Sequence, residues 1–339
     1  EIYTLSLHDA LPICMVDIAL SSITFLTLRE KLFLKKNLDS LDKLAVLSIK
    51  GISEIVGRSV RATIWNGSEC ARSAEKAEKI MKAREISALV YSENGYPALL
   101  SEIKDAPYAL FYRGNADALS NRSVSVVGTR RVSEKSAAAA MDFAKDAALD
   151  GNTVISGLAY GIDSFAHRGA LASERHGSTV AVLPCGIDTI VPSGHRRLAG
   201  NILLSDGCLV SEYIPGTPAE PWRFVQRNRI IAGLSPATVV VHAPAGSGAL
   251  ITADFALDYN RELMFHSAGL GESRKKIPFR TMDSDAEKNV NAPEKYLSDG
   301  APVIGSYADY VAVRKDAPGG TRETPTHRGR SPAQICHSA

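Results

Sequence analysis

The sequence predicts an α/β protein, a mainly parallel β-sheet with helices on both faces, preceded by a small helical segment. Three observations carry this. From Ser123 onward, short β-branched runs alternate with longer amphipathic stretches, the order that builds parallel sheets from β–α–β units. Two of these runs end in glycine-bearing turns, Gly128-Thr-Arg-Arg131 and Ser156-Gly-Leu-Ala-Tyr-Gly-Ile-Asp-Ser-Phe-Ala-His167, and a helical stretch follows each. Before residue 86 the apolar residues recur instead at three- and four-residue steps, the period of helices.

Residues 1–14 include EIYTLSLHDALPI, which reads as the in-frame translation of a sequencing-adapter oligonucleotide, so the native chain is expected to begin at Met15. It lacks the basic start of a signal peptide and is broken by Asp9 and Pro12. Residues 15–85 form the small helical domain, with Leu41, Leu44, Leu47, Ile55 and Val56 on amphipathic faces. Within it, Ile49-Lys-Gly-Ile-Ser53 is similar to the turn of a helix-hairpin-helix, and a plain helical packing unit fits equally well. Residues 86–120 read as an extended connection with two strand-like pieces, around Ala88 and from Ala109 to Gly114. The sheet domain spans 121–312, with strands at 124–127, 153–156, 179–183, 208–212, 238–242 and 262–265. Helices are expected at 134–149, 162–174, about 195–204, 224–234 and 249–259, with Gly151 and Gly177 at C-caps. Residues 271–295 look irregular. The tail, 313–339, is rich in Pro, Gly, Thr and Arg and reads as disordered, with no winged-helix pattern after residue 312.

The bulk numbers exclude several classes. A net charge of +2 makes any nucleic-acid surface a local cluster rather than a property of the whole chain. The five cysteines show no metal-ligand spacing, so free thiols in a reducing cytoplasm are expected, and no zinc. No apolar run is long enough to span a bilayer.

In a parallel sheet, ligands bind at the carboxyl ends of the strands. Those ends read Gly128-Thr-Arg-Arg131, Ser156-Gly157, Cys185-Gly-Ile-Asp188, Ser211-Glu-Tyr213 and Ala245-Gly-Ser-Gly248, all small or polar. The glycine turns are expected to offer backbone N–H groups to an anion. A dinucleotide site fits poorly, because the first turn lacks GxGxxG and the second strand ends in Ser156-Gly157 where an acid is needed. No Walker A loop occurs. Ser156, Asp163 and His167 supply the residue types of a triad, yet there is no GxSxG elbow. Asp163 reads better as a first-turn acid favoured by the helix dipole, and His167 as a packing histidine. The cations are more telling. Arg130 and Arg131 follow the first strand, while Arg223, Arg227 and Arg229 cluster in one segment. There Phe224, Arg227 and Asn228 share a helix face at steps of three and four, a set suited to stacking a base and holding a phosphate. Spacing alone favours the plainer reading, with Phe224 in the core and the arginines on a solvated face.

Five motifs in order carry a resemblance: VVGTR (126–130), SGLAYGIDSFAH (156–167), SEY (211–213), RNRIIAGLS (227–235) and SGALITADFA (247–256). With YPALLSEIKDAPYALFYRG (96–114) upstream, the chain resembles the DprA/Smf family of bacterial DNA-processing proteins over roughly residues 30–312. The resemblance implies a Rossmann-like domain that binds and protects single-stranded DNA without sequence preference in natural transformation, helps load the RecA recombinase, and dimerises. It implies no turnover chemistry and no cofactor. The alternative is a nucleotide or phosphoribosyl hydrolase on a related fold, for which the turn Pro244–Thr252 lacks the expected Glu. The family's phosphate-binding arginine falls on Arg130, its glycine-rich second turn on Ser156, Gly157 and Gly161, its RN segment on Arg227, Asn228 and Arg229 with Phe224 a candidate stacking residue, and its fifth-strand turn on Ser247, Gly248 and Thr252; Gly128, Thr129 and Arg131 complete the expected DNA-contacting set. The chain departs from the family at Val191-Pro192-Ser193, where a tyrosine and a following basic residue are usual; Arg196 and Arg197 are the nearest cations. It departs again at Ala249 and Ala268.

Overall fold

Val124-Ser-Val-Val127, Thr153-Val-Ile155 and Thr179-Val-Ala-Val182 are buried at every position. Strands buried on both faces need helices above and below, and the β-branched runs supply the strands of such a sheet. In the computed structural model the described residues are 13–61, 64–270 and 291–316. The reading of residues 1–12 as adapter lies outside them, as do most of the irregular stretch 271–295 and the tail beyond 316.

Five helices come first: α1 (Met15–Ser22), α2 (Leu28–Asn37), α3 (Leu41–Val46), α4 (Ile49–Val56) and α5 (Gly67–Arg84). Four of them, α2 to α5, start on a side-chain cap. Thr27 and Glu30 form a reciprocal capping box on α2, and Ser40, Ser48 and Asn66 cap α3, α4 and α5. The segment Ile49–Ser53 forms the first turns of α4 rather than a turn between helices. The Gly51 N–H is used by the Ser48 cap, so it is not presented to a phosphate.

The chain then runs β1 (Ser87–Val90), α6 (Ala98–Ser101), β2 (Ala109–Gly114), β3 (Ser123–Gly128), α7 (Glu134–Leu149), β4 (Thr153–Ser156), α8 (Ile162–Leu171), β5 (Thr179–Val182), α9 (Arg196–Leu204) and β6 (Cys208–Ser211). It continues through α10 (Pro221–Gln226), α11 (Asn228–Gly233), β7 (Ala237–His242), α12 (Gly248–Asp258), β8 (Glu262–His266), α13 (Ser267–Leu270), α14 (Pro293–Ser298), β9 (Val303–Ile304) and α15 (Tyr307–Asp316). All six sheet strands expected from the sequence are present, with ends shifted by one residue at most. The stretch 224–234 is two helices, broken at Arg227, and the helix from residue 162 stops at Leu171. α15 continues to Asp316, past the expected start of the tail at residue 313.

The described strands form one sheet in the order β1-β2-β6-β5-β4-β3-β7-β8-β9. From β6 to β9 every pairing is parallel, while β1 on β2 and β2 on β6 are antiparallel. Segment 86–120 is therefore more than a connection, because it extends the sheet by two strands. The chain winds outward from β3 to β6, then returns to place β7 on the other side of β3. That reversal between β3 and β7 is the topological switch point, where loops diverge and leave a crevice.

The helical segment is tied to the sheet by a buried carboxylate. Asp17 on α1 is 2 % exposed and accepts hydrogen bonds from Lys35 Nζ at 2.8 Å and from the Tyr108 hydroxyl at 2.5 Å, just before β2. Among the described residues no helix is long and apolar enough to cross a membrane.

Candidate nucleic-acid interface

A cleft of about 390 Å³ opens at the switch point. Its walls are the turn after β3 (Gly128, Thr129, Arg130, Arg131), the turn after β7 with the start of α12 (Ser247, Gly248, Thr252), and α10 with the start of α11 (Phe224, Arg227, Asn228). Ten of the fourteen residues expected from the sequence thus line one cavity.

Arg130 and Arg131 are exposed. The Arg130 guanidinium lies over the half-buried Phe224 ring, 5.3 Å from its centroid. Phe224 is therefore a wall of the cleft rather than core, contrary to the reading that spacing alone favours. Asn228 braces the site by donating from Nδ2 to the Gly248 carbonyl at 3.2 Å. Ser247 caps α12, accepting from the Ala249 N–H at 3.3 Å, so that helix points its positive end at the cleft.

Arg227 sits deeper, at 3 % exposed. Its Nη1 donates to the Val182 carbonyl, and its Nη2 lies 4.0 Å from Asp163 Oδ2. Burial lowers the guanidinium to about 10, with Asp163 acting against the shift, so it stays charged at neutral pH. Burial pushes the Asp163 carboxyl up from its ordinary value, and Arg227 opposes that. Gly157 fits against the same guanidinium: a Cβ there would collide with its terminal nitrogens. Gly161, at φ +81°, caps α8 and meets the Arg130 turn; a Cβ would lie 2.6 Å from Arg130 Cα. Gly157 and Gly161 thus shape the floor without lining it. Ser156 is wholly buried and donates to the Val126 carbonyl at 2.7 Å.

Several amides of the glycine turn after β4 are used internally where bare amides are expected: Leu158 donates to His167 Nε2 at 3.3 Å, Ala159 to Asp163 Oδ2 at 3.4 Å, and Ile162 to the Thr129 carbonyl at 3.2 Å. Leu158 is left-handed (φ +57°), a conformation that costs a branched residue energy and here is held from both sides. Its carbonyl accepts from His195 Nδ1 at 2.8 Å. His167 is fully buried; Thr179 Oγ1 gives its proton to the Val154 carbonyl, so it accepts from His167 Nδ1, leaving Nε2 as the acceptor for Leu158. The ring is therefore neutral, and burial lowers it to about 3. Ser156 and His167 are both engaged elsewhere, and no nucleophile–base pair forms between them.

Arg229 departs furthest from expectation. It is 7 % exposed and points away from the cleft, bonded to Glu212 Oε2 and donating to the Asp105 carbonyl at 2.8 Å. It lines a second cavity, about 310 Å³, between the helical segment and the sheet, with Lys31 and Tyr108. A buried acid must be paired, and Arg229 pairs Glu212. Sequence reasoning missed Asp163, Pro221 and Val225 as cleft residues. Val225 is 40 % exposed beside Phe224, but nothing in its spacing marks it.

A doubly wound sheet with its cleft at the switch point places this chain among Rossmann-like α/β proteins. The model of the family described as DNA recombination-mediator protein A matches residues 87–311. Protein Smf of Borreliella burgdorferi is 33% identical over 239 residues, covering 70% of this chain and 74% of that protein. The DNA processing protein DprA of Streptococcus pneumoniae is 40% identical over 168 residues, half of this chain and 58% of that one. The chain belongs to the DprA/Smf family of DNA recombination mediators. The X-ray structure of DprA from Streptococcus pneumoniae superposes with a TM-score of 0.67 at 28% identity, covering 89% of this chain and 98% of that one. DprA from Helicobacter pylori, a protein that binds single-stranded DNA, shares the fold at a TM-score of 0.53 and 24% identity.

Proposed function

We propose that this protein binds single-stranded DNA without sequence preference in the switch-point cleft. The observation that carries this reading is the Arg130–Phe224 pair: an exposed guanidinium over an accessible ring, with Arg131 beside it and Arg227 beneath. Cations grip the phosphate chain that every sequence shares, and an aromatic face stacks any base. The contact set is Gly128, Thr129, Arg130, Arg131, Phe224, Arg227, Asn228, Ser247, Gly248 and Thr252, with Ser156, Gly157 and Gly161 shaping the floor. Protection of the bound strand, loading of RecA onto it, and action as a homodimer in the cytoplasm follow from the family role. The sheet domain at 121–312 is read as the DNA-binding unit, with the small helical domain and residues 86–120 attached to it.

Turnover chemistry fits less well. Among the described residues Asp163 is the one acidic side chain lining the cleft, and Arg227 engages it. The test is fluorescence anisotropy with labelled oligo-dT and a duplex of equal length. Arg130→Ala and Phe224→Ala should each weaken oligo-dT binding about tenfold, as expected for one phosphate or one stacked base. Affinity should fall with salt at a slope of about −0.7 per phosphate neutralised. Unchanged affinity in folded variants, or equal binding of duplex, refutes the reading; release of base from nucleoside monophosphates would favour the hydrolase instead.

A further inference from the structure

The cavity between the helical segment and the sheet is separate from the cleft, and it holds charges that do not meet. Its volume, about 310 Å³, lies at the lower end of small-molecule sites. On one side is the Lys31 ammonium, on α2. An ammonium has three protons to give, and this one makes a single long hydrogen bond, to the Ser21 carbonyl at 3.4 Å. Burial lowers it to about 8; Glu212 opposes that shift but forms its ion pair with Arg229, not with Lys31. On the other side stands Glu212, just past the end of β6. Its Oε2 takes the Arg229 guanidinium, while Oε1 is shut off from water and accepts no hydrogen bond among the described residues. The neighbouring Tyr213 hydroxyl gives its proton to Gln226 Oε1 at 3.2 Å instead. A buried acceptor without a donor is costly, and so is a desolvated ammonium with one weak partner.

The charges around this space balance. Arg229 Nε is also 3.7 Å from Asp105 Oδ2, so Lys31 and Arg229 match Glu212 and Asp105. Arg223 is matched by Glu220, 3.8 Å away. A phosphate or other simple anion would add charge to a neutral site, and a simple amine would add charge of the opposite sign. A molecule carrying both an ammonium and a carboxylate adds none, and it offers a donor to Glu212 and an acceptor to Lys31. The rest of the wall is apolar and aromatic. Ile23, Leu26 and Tyr108 are buried there, and the Arg223 guanidinium lies 5.1 Å from the Tyr213 ring centroid and 4.9 Å from that of Trp222. Trp222 and Thr24 line the cavity and are exposed, so they stand where it meets solvent.

We propose that this cavity binds a free α-amino acid with an apolar side chain. Its carboxylate sits on Lys31, its ammonium takes Glu212 Oε1 as that carboxylate turns toward it, and its side chain packs against Ile23, Leu26 and Tyr108.

The test uses the full chain, with L-leucine and L-phenylalanine as probes, read by Trp222 fluorescence and by the thermal midpoint. At least one of the two should change the emission saturably and raise the midpoint. Trp65 does not line the cavity, so Trp222→Phe should remove the emission change and keep the midpoint shift. Lys31→Met should weaken binding about tenfold, as for one charged hydrogen bond. Thr24→Phe, at an exposed position of the lining, narrows the mouth without touching the buried charges and should weaken binding by about the same factor. 4-Methylpentanoate and isopentylamine, which lack the ammonium and the carboxylate of leucine in turn, should each bind about tenfold more weakly than L-leucine. No saturable response to either amino acid overturns the proposal. So does equal binding of 4-methylpentanoate, isopentylamine or inorganic phosphate, and so does binding that survives both Lys31→Met and Thr24→Phe unchanged.

Discussion

His167 makes the glycine turn after β4 sensitive to acid. Its Nε2 accepts the Leu158 N–H, and its Nδ1–H is donated to Thr179, so the ring has no room for a second proton. An ordinary histidine titrates near 6.5, whereas burial lowers this one to about 3. The folded state therefore binds fewer protons than the unfolded chain at any pH between these values. Its contribution is fully present above about 6.5 and is lost as pH falls toward 3. Between pH 7 and pH 5 the loss amounts to about 2 kcal/mol, because each pH unit below the unfolded value costs close to 1.4 kcal/mol. Asp163 works in the opposite sense. Its raised carboxyl gives stability at low pH that is lost as pH rises above the ordinary carboxylate value. The comparison that isolates the histidine is parent against His167→Gln, each unfolded in urea at pH 7 and pH 5. The parent should lose about 2 kcal/mol more than the variant over that interval. Equal losses in the two proteins would refute the assignment of a neutral, proton-excluding ring.

Two further substitutions separate the shape of the cleft from its charge. Gly157→Ala forces a methyl into the Arg227 guanidinium, which Val182 and Asp163 hold in place; overpacking of this kind costs about 1–3 kcal/mol, and urea unfolding should show it. Arg229→Met leaves Glu212 buried without its partner and should lower stability by about 3–5 kcal/mol, read by the same method. The folded fraction of that variant should bind oligo-dT with the affinity of the parent protein, and a selective loss of affinity would return Arg229 to the interface.

The strands were legible because a run such as Thr179-Val-Ala-Val182 satisfies burial on both faces by itself, with no knowledge of its neighbours. The cleft was largely legible for a related reason: strand order in a doubly wound sheet brings the ends of β3 and β7 together, and the small, polar and cationic residues sit at those ends. What escaped was anything decided by distant partners. Arg227 and Arg229 are two residues apart in one cationic cluster, yet one faces the cleft floor and the other a buried acid. Their hydrogen-bonding partners, Val182 and Asp105, are 45 and 124 residues away. Three amides of the glycine turn are taken by His167, Asp163 and Thr129; the first two lie in the motif itself, but only the folded turn brings them back onto Leu158 and Ala159. Periodicity alone favours a core position for Phe224, whereas the structure places its half-buried ring in the cleft wall under Arg130.

The antiparallel seam between β2 and β6 bears on how this molecule can be divided. The convenient place to cut, near residue 121, leaves the outermost crossover strand with a naked row of carbonyls and amides along one flank. Such a fragment would carry the whole cleft and still misbehave, recruiting stray chains to the bare flank. A shortened version meant to stay monodisperse has to begin ahead of Ser87, and even then it forfeits the clasp that Asp17 makes on Tyr108.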